Sequence, residues 1–397
     1  MITVEEAQAR VIGAASVLPA ETVALTDAAD RVLAGPLTAR RTQPPFAASA
    51  MDGYAVRGTD VATVPVTLTM VGAVAAGGFY EPNLQAGQCV RIFTGAPLPA
   101  GADTVVIQED TEANGDQITI VEIEPTGGNV RDAGLDFKVG EQRLGAGTYL
   151  SPRKLTLAAA MDYPWLKVVR RPRVAILATG DEIVFPGEPI AASQIVASTS
   201  TALAGFVRAH GGEPVLLGVA QDTIASLREA VAAARDADVL VTIGGASVGD
   251  HDLVQTALTE DGLTVDFWKI AMRPGKPLMV GTLGKSQVLG LPGNPVSSMV
   301  CAMLFLRPLL FAFQGRSGGI PTPAMLPAAA NLPANGTRQD YMRARLNADG
   351  AVVPFAKQDS SMLTALADAD ALIVRPANAP AVKAGTNVPA LLLNGLL

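Results

Sequence analysis

Histidine and cysteine are scarce in this 397-residue chain, two of each, and that scarcity removes several chemistries at once. Cys89 and Cys301 stand in apolar surroundings at no metal-ligand spacing, which argues against a disulfide framework or a cysteine zinc site and for two buried thiols. His210 and His251 are 41 positions apart, which disfavours a histidine-rich transition-metal site, so a metal here would be held by carboxylates. Aromatic residues make up only 5% and the net charge is −7. Broad nucleic-acid binding is therefore not expected, and an anionic ligand would need a local cluster of Lys and Arg. Long apolar runs are missing too: Met299 to Leu306 is stopped by Arg307 and Pro308, far short of the roughly 20 residues of a membrane span, and reads as a buried helix. The opening stretch MITVEEAQAR carries two glutamates and no apolar run, so neither a signal nor a transit peptide is expected and the address reads as cytosolic.

What is present is apolar and long: 49% of residues are hydrophobic, enough for several domains at about 150 residues each. Thr3-Val4-Glu5-Glu6 is a capping-box pattern, and the apolar positions after it predict a helix to about Val17. From Val61 to about Leu150 short β-rich runs alternate with Gly and Pro. Within them Thr104 to Gln108 and Gln117 to Glu122, either side of Asn114-Gly115, are predicted to pair as a hairpin. Beyond Arg170-Arg171-Pro172, strand-like runs at 174–178, 215–219, 239–243, 277–282 and 287–291 alternate with helical patterns at 199–210, 223–235, 252–260 and 297–313. That alternation predicts a doubly wound α/β sheet covered on both faces. After Gln314 a Gly- and Pro-rich linker leads to β-like sequence with an Asp349-Gly350 turn, read as a small C-terminal β-barrel.

Ligands of an open α/β sheet bind beyond the carboxyl ends of its strands, so the loops there are the places to look. Three stand out: Thr179-Gly180-Asp181-Glu182, which puts two carboxylates after a buried strand; the glycine-rich 244–250, with Gly244, Gly245, Ser247 and Gly249; and 291–298, with Pro292, Gly293, Pro295 and Ser297. Glycines at a helix start let backbone amides approach an anion. Such loops can also serve only to turn the chain, and Asp222 could be a plain N-cap. A basic cluster, Lys269, Arg273 and Lys276, includes a turn in which Lys276 is pinned between Gly275 and Pro277. In an acidic chain this suggests capture of an oxyanion.

Seven segments, 44–57 (PPFAASAMDGYAVR), 91–103, 131–141, 178–188 (ATGDEIVFPGE), 244–252 (GGASVGDHD), 273–277 (RPGKP) and 291–298 (LPGNPVSS), together resemble, in order, the signatures of the molybdopterin molybdenumtransferase family (MoeA, gephyrin E-domain). The resemblance implies an α/β multidomain subunit. Its parts would be a discontinuous helical and extended dimerisation domain (1–45 and 139–171), a β-rich inserted domain (46–138), a doubly wound, MoaB/MogA-like molybdopterin-binding domain (172–316) and a C-terminal β-barrel (317–397). It implies an elongated homodimer with the active site between the α/β domain of one subunit and the β-rich domain of the other. The reaction implied is insertion of molybdate into adenylylated molybdopterin with release of AMP, using Mg2+.

By the same resemblance Glu182 and Asp222 would serve as metal or water-activating groups, with Asp52 and Asp136 completing the metal site across the dimer and Asp252 among the catalytic residues. Thr94 and Ser247 would bond phosphate or pterin, with Gly180, Gly244, Gly245, Gly249, Lys269, Pro292, Gly293, Pro295 and Ser297 around them. Arg273, Lys276, Arg343 and Ser360 would hold molybdate between the α/β domain and the barrel. Transient contact with the molybdopterin adenylyltransferase and with cofactor-receiving apo-enzymes is implied, and neither nucleic acid nor membrane. Two departures stand out: Ala47-Ala48 where the family often has Asp-Asn, and Arg273 where it commonly has lysine. The rival functions are a non-catalytic molybdopterin-binding or scaffold paralogue, and a nucleotide pyrophosphatase of the competence-damage type on the same α/β domain.

Overall fold

The computed structural model describes residues 1–245 and 253–397. Two distant stretches of chain first build one domain. Ala20–Ala24 pairs antiparallel with Trp165–Val169, Leu37–Thr38 with Gln142–Leu144, and Leu33 bridges Val168. Ala28, Leu33, Phe137, Leu150, Met161 and Leu166 close the core between them. Residues from both stretches share this one core, so each covers apolar surface of the other.

The inserted lobe between them holds a six-stranded sheet in the order Thr104–Ile107, Gly53–Val56, Gln88–Ile92, Val66–Val74, Gln117–Ile120, Thr111–Asn114. One point differs from the sequence reading. The Asn114-Gly115 turn joins Gln117–Ile120 to the nearer Thr111–Asn114, whereas Thr104–Ile107 pairs with Gly53–Val56 at the other end of the sheet. A tight turn binds its immediate neighbours, and the short helical turn Gln108–Asp110 interrupts the run that looked continuous.

The α/β domain has six strands: Arg173–Thr179 (β1), Glu213–Ala220 (β2), Val239–Ile243 (β3), Thr264–Lys269 (β4), Pro277–Leu283 (β5) and Ser286–Leu291 (β6), in the order β2-β1-β3-β6-β5-β4. The first four in that order are parallel, β5 runs antiparallel to them, and edge strand β4 is antiparallel to β5. Alternation sorts β1 onto two faces: Val174 and Ile176 pack with helix Ser198–Ala209 and Pro295–Cys301, while Ala175 and Leu177 pack with Ile224–Ala233 and Leu253–Glu260. Helices on both faces explain why these strands are apolar throughout.

The opening helix is shorter than its apolar pattern, Val4–Gly13, with the Thr3 hydroxyl accepting the Glu6 N–H at 3.1 Å. It lies with the α/β domain, although its sequence position groups it with the first domain. Val4, Ala7 and Val11 are part of the core that contains the long helix. That helix, Pro295–Phe313, is apolar enough for a membrane span, but 89% of it is buried inside the protein. It passes through a wide turn at Ala302–Leu306 just before Pro308. Proline has no N–H to give the carbonyl four residues back, and buried Gln8 donates its Nε2 to that carbonyl, Leu304 O, at 3.0 Å. Gln8→Leu is expected to cost about 1–3 kcal/mol, the range for a lost buried hydrogen bond. It would be read as a lower denaturant midpoint at constant slope, and an unchanged midpoint would mean that Leu304 does not depend on Gln8.

In the C-terminal domain Gln339–Leu346, Ala371–Arg375, Asn387–Leu392 and Ala324–Pro327 form consecutive antiparallel neighbours, and Val352–Pro354 pairs the other side of Gln339–Leu346. The ring closes where Ala328 meets Val352. Met272–Arg273, from the basic turn of the α/β domain, joins this sheet in parallel beside Gln339 and Asp340, so the turn is fastened to both domains.

Candidate active site at the carboxyl edge of the sheet

The parallel strands β2, β1, β3 and β6 all end at one edge, which brings together loops far apart in sequence. The Gly244 N–H donates to Leu291 O at 3.1 Å. A Cβ on Gly244 (φ +92°) would sit 2.9 Å from Thr179 O, and one on Gly293 would touch the Gly244 Cα at 3.7 Å. Glycine is required at 244, by its positive φ and by the Thr179 carbonyl, whereas the Gly293 contact is an ordinary one. Gly180 also has a positive φ, and the Glu182 carboxylate folds over it, 2.4 Å from where a Cβ would be. Ser247, Gly249 and Asp252 lie outside the described residues.

Carboxylates gather at one end of this edge. The Asp222 N–H donates to Asp181 Oδ1 at 3.1 Å, which joins the loop after β2 to the loop after β1. The plain N-cap role falls to Thr223, whose hydroxyl accepts the Ser226 N–H at 3.2 Å. The Asp222 carboxylate is thereby not used as the helix cap and instead accepts from the Asp181 backbone N–H. Burial, then the like charges of Asp181 and Glu182, push its carboxyl above the usual range. Asp181 was visible in the sequence as one of two acids after β1, but its contact with Asp222 was not.

At the other end, a cleft of 650 Å³ opens between the α/β domain and the C-terminal sheet. Arg273, Lys276 and Ser360 of the expected molybdate group line it, together with Pro292 and Ser297, which the resemblance placed around the pterin and phosphate. Arg338 and Lys357 add two cations that no motif singled out, against one acid, Asp359. The domains are stitched there by Asn294 Nδ2, which donates to Ser360 Oγ at 3.0 Å, and by the Val296 N–H to Ser360 O at 3.2 Å. The basic turn is seated on the long helix: a Cβ on Gly275 (φ +102°) would lie 2.6 Å from Cys301 Sγ. Burial pushes the Cys301 thiol up to about 12, so it packs and does not react.

Two expected members of the basic group lie apart from the others. Lys269 is exposed at the end of edge strand β4, outside the cleft lining; its backbone carbonyl accepts the Ile2 N–H. Arg343 is only 2% exposed and faces a neighbouring 250 Å³ cavity shared with Arg273, Asp340, Gln358 and Arg375. Its guanidinium donates to Met362 O at 3.3 Å, so it braces the loop that carries Ser360 from below. Arg343 shares a strand face with Tyr341, which packs on the α/β core, and lies opposite the Met342 and Ala344 face that closes the barrel core.

Asp52, Thr94 and Asp136 belong to the inserted lobe. Thr94 donates both its N–H (2.7 Å) and its hydroxyl (2.8 Å) to Asp52 Oδ1. These bonds, the backbone one first, hold the Asp52 carboxyl below the usual range, with help from Arg91. Thr94→Val keeps the N–H and removes the hydroxyl, so the Asp52 titration is expected to move part of the way back up. Carboxyl-carbon NMR reads this directly, and no movement would mean the hydroxyl bond is not made in solution. Asp136 is exposed, its backbone N–H donating to Gln43 O at 3.0 Å. The unusual Ala48 is buried in an extended ribbon between Arg131 and Pro97. Among the described residues of one chain, no three Asp, Glu, His or Cys side chains are grouped to hold a metal, so the four expected carboxylates do not converge within a single subunit.

A separate 510 Å³ cavity lies off this edge, between helix Ile224–Ala233 and the turn at Gly284. Of its three cations, Arg228 and Lys285 are paired with Asp261 (2.9 Å) and Asp236 (3.6 Å), and Arg235 is the third.

Comparison with known proteins agrees with this geometry over nearly the whole chain. Residues 2–161 match the MoeA N-terminal region (domains I and II), 175–312 a probable molybdopterin-binding domain, and 325–393 the MoeA C-terminal region (domain IV). A molybdopterin molybdenumtransferase of Nostoc sp. is 38% identical over 388 residues, covering 94% of this chain and 88% of its own. That of Haemophilus influenzae is 34% identical with both chains fully covered. The crystal structure of a molybdopterin biosynthesis MoeA protein from Pyrococcus horikoshii OT3 superposes with a TM-score of 0.86 at 26% identity, over 99% of this chain and all of that one. The chain belongs to the MoeA family of molybdopterin molybdenumtransferases.

Proposed function

We propose that this chain inserts molybdate into the dithiolene of adenylylated molybdopterin and hydrolyses the adenylate, releasing AMP, as a cytosolic homodimer. The observation that carries the reading is the sheet edge itself: a carboxylate cluster at one end, a cationic cleft at the other, and glycine loops between them. A phosphoanhydride and an oxyanion need these two environments side by side but apart, because unscreened carboxylates repel a dianion. Lys276 and Arg273, supported by Arg338 and Lys357, would hold molybdate, with Ser297 and Ser360 donating hydroxyl hydrogen bonds. Gly180, Gly244, Gly245 and Gly293 would let the backbone approach the phosphate and pterin.

Glu182 and Asp222 would supply two oxygen ligands, which suit a hard divalent cation such as Mg2+. The raised Asp222 carboxyl supports this, since crowded like charges are what a cation relieves. Bound there, the ion would screen the charge of the phosphoanhydride. Glu182 would orient the attacking water. Asp52, fixed by Thr94, and Asp136 would reach this site from the inserted lobe of the second subunit. That lobe and the domain carrying it display large apolar side chains, among them Phe46 (43% exposed), Met51 (44%), Leu135 (65%) and Trp165 (60%). Such exposure favours burial against a second copy.

The test is AMP release from adenylylated molybdopterin with Mg2+, with and without molybdate. Molybdate-dependent AMP is the expected result. Tight binding of the substrate with no AMP would overturn it in favour of a scaffold.

A further inference from the structure

The chain passes between the discontinuous domain and the α/β domain twice, near residues 14–20 and 169–173, and both crossings are clamped. On one side the Arg170 guanidinium makes a two-pronged pair with Asp238, 2.7 Å on each arm, and Asp238 also accepts the Arg173 N–H at 2.8 Å. On the other, the long helix ends at Gly315 (φ +65°), where the Gly315 and Arg316 N–H groups donate back to Ala312 and Phe311. This terminator throws the Arg316 side chain back over the helix. Its guanidinium carbon lies 4.0 Å from the centre of the Phe311 ring and 3.9 Å from that of Tyr149. Phe311 belongs to the α/β domain, and Tyr149, bridged to Val32, to the discontinuous domain. Arg307 also stacks on Phe311, at 4.5 Å, and the Tyr149 hydroxyl donates to Asp30.

The stack holds cations partly out of water, where contacts with rings are strongest: burial pushes Arg316 and Arg307 below the usual arginine value. No ion pair holds Arg316 among the described residues, so the two rings are what fix it. The joint has little slack, since a Cβ on Gly315 would lie 3.3 Å from Val17 and one on Gly147 3.1 Å from Gly315 O.

We propose that Arg316, gripped between Tyr149 and Phe311, is a positioning residue that sets the angle between the α/β domain and the domain bearing the inserted lobe. Resting on the reading that Asp52 and Asp136 act in the partner's site, this angle decides how often the two halves of each active site meet in register. It touches no substrate. Loosening it lowers the fraction of assembled sites while leaving binding to the α/β domain intact.

Spin labels on Glu112→Cys and Glu229→Cys, in doubly labelled chains diluted with unlabelled ones, report the angle within one subunit. Arg316→Leu, Arg316→Lys (charge without a flat face) and Tyr149→Leu are each expected to broaden the distance distribution. Each should also lower kcat for AMP release by about tenfold, with KM for adenylylated molybdopterin within about twofold, as small misplacements of catalytic groups do. The Arg316→Leu, Tyr149→Leu double variant should be no worse than either alone, and Tyr149→Phe, which keeps the ring, should match the wild type. Unchanged distances in the Leu variants, broadened distances with unchanged kcat, or a double variant that multiplies the two losses would each overturn the proposal. A wild type that releases no AMP would refute the transferase reading, and with it the catalytic part of this one, while the distances would still judge the joint.

Discussion

Glu182→Gln and Asp222→Asn are each expected to lower molybdate-dependent AMP release by about two orders of magnitude or more, the usual loss when a metal ligand or a general base is removed. Both residues sit on loops at strand ends, exposed and outside the packed cores, so the fold should survive. For Asp222 the stability argument has a definite sign. Its carboxyl is raised in the folded state by burial and by Asp181 and Glu182, so the folded protein binds this proton more tightly than the unfolded chain does. Stability is then lost as pH rises from the ordinary carboxylate range through the raised value. Asp222→Asn removes that penalty, and in metal-free buffer the variant should melt no lower than the wild type at neutral pH while being far less active. Near-wild-type turnover in either variant would take that residue out of the catalytic set, and a large fall in melting temperature would make the loss one of folding.

Lys276→Ala should raise the molybdate concentration needed for half-maximal AMP release by roughly ten- to a hundredfold, since a charge-assisted hydrogen bond contributes about 1.5–3 kcal/mol. Pterin binding should change far less, because Lys276 lines the cleft at the end of the sheet edge away from the carboxylates. Arg343→Ala should raise the molybdate requirement too, but by a different route. Arg343 is buried and braces the loop of Ser360, so its removal should also lower the melting temperature, whereas that of exposed Lys276 should not. Unchanged molybdate dependence in both variants would put the oxyanion elsewhere and leave these cations a phosphate-binding or structural role.

Much of this site was legible in the sequence because strand ends and glycine loops announce themselves. The runs at 174–178, 239–243 and 287–291 fall on β1, β3 and β6, and their adjacency puts Gly180, Gly244 and Gly293 at one edge. The Thr3 cap, the buried nature of 295–313 and the Asp349-Gly350 turn were equally local and equally readable. Long-range pairing was not. Nothing in Thr104–Ile107 says that its partner is Gly53–Val56, and nothing near Arg338 or Lys357 says that they face Lys276. The resemblance put Arg343 among the oxyanion holders of the cleft, and only the packing shows it buried beneath that cleft, on the strand face of Tyr341 and opposite the Met342 and Ala344 face that closes the barrel core. The helix Val4–Gly13 opens the chain yet packs on its middle, since its apolar face fits the long helix and Gln8 meets the carbonyl left by Pro308.

The central claim is a site shared between subunits, and co-expression of two inactive chains tests it most directly. One chain carries Glu182→Gln and the other Asp52→Asn, with different tags so that mixed dimers can be isolated. In a symmetric dimer each site takes its α/β half from one subunit and its inserted lobe from the other. A mixed dimer then holds one site with both defects and one with none. The account predicts that purified mixed dimers release AMP at about half the wild-type rate, as one intact site of two requires, while each variant alone stays near background. Mixed dimers as inactive as the two parents would contradict it, since that is the result of a site built entirely within one chain.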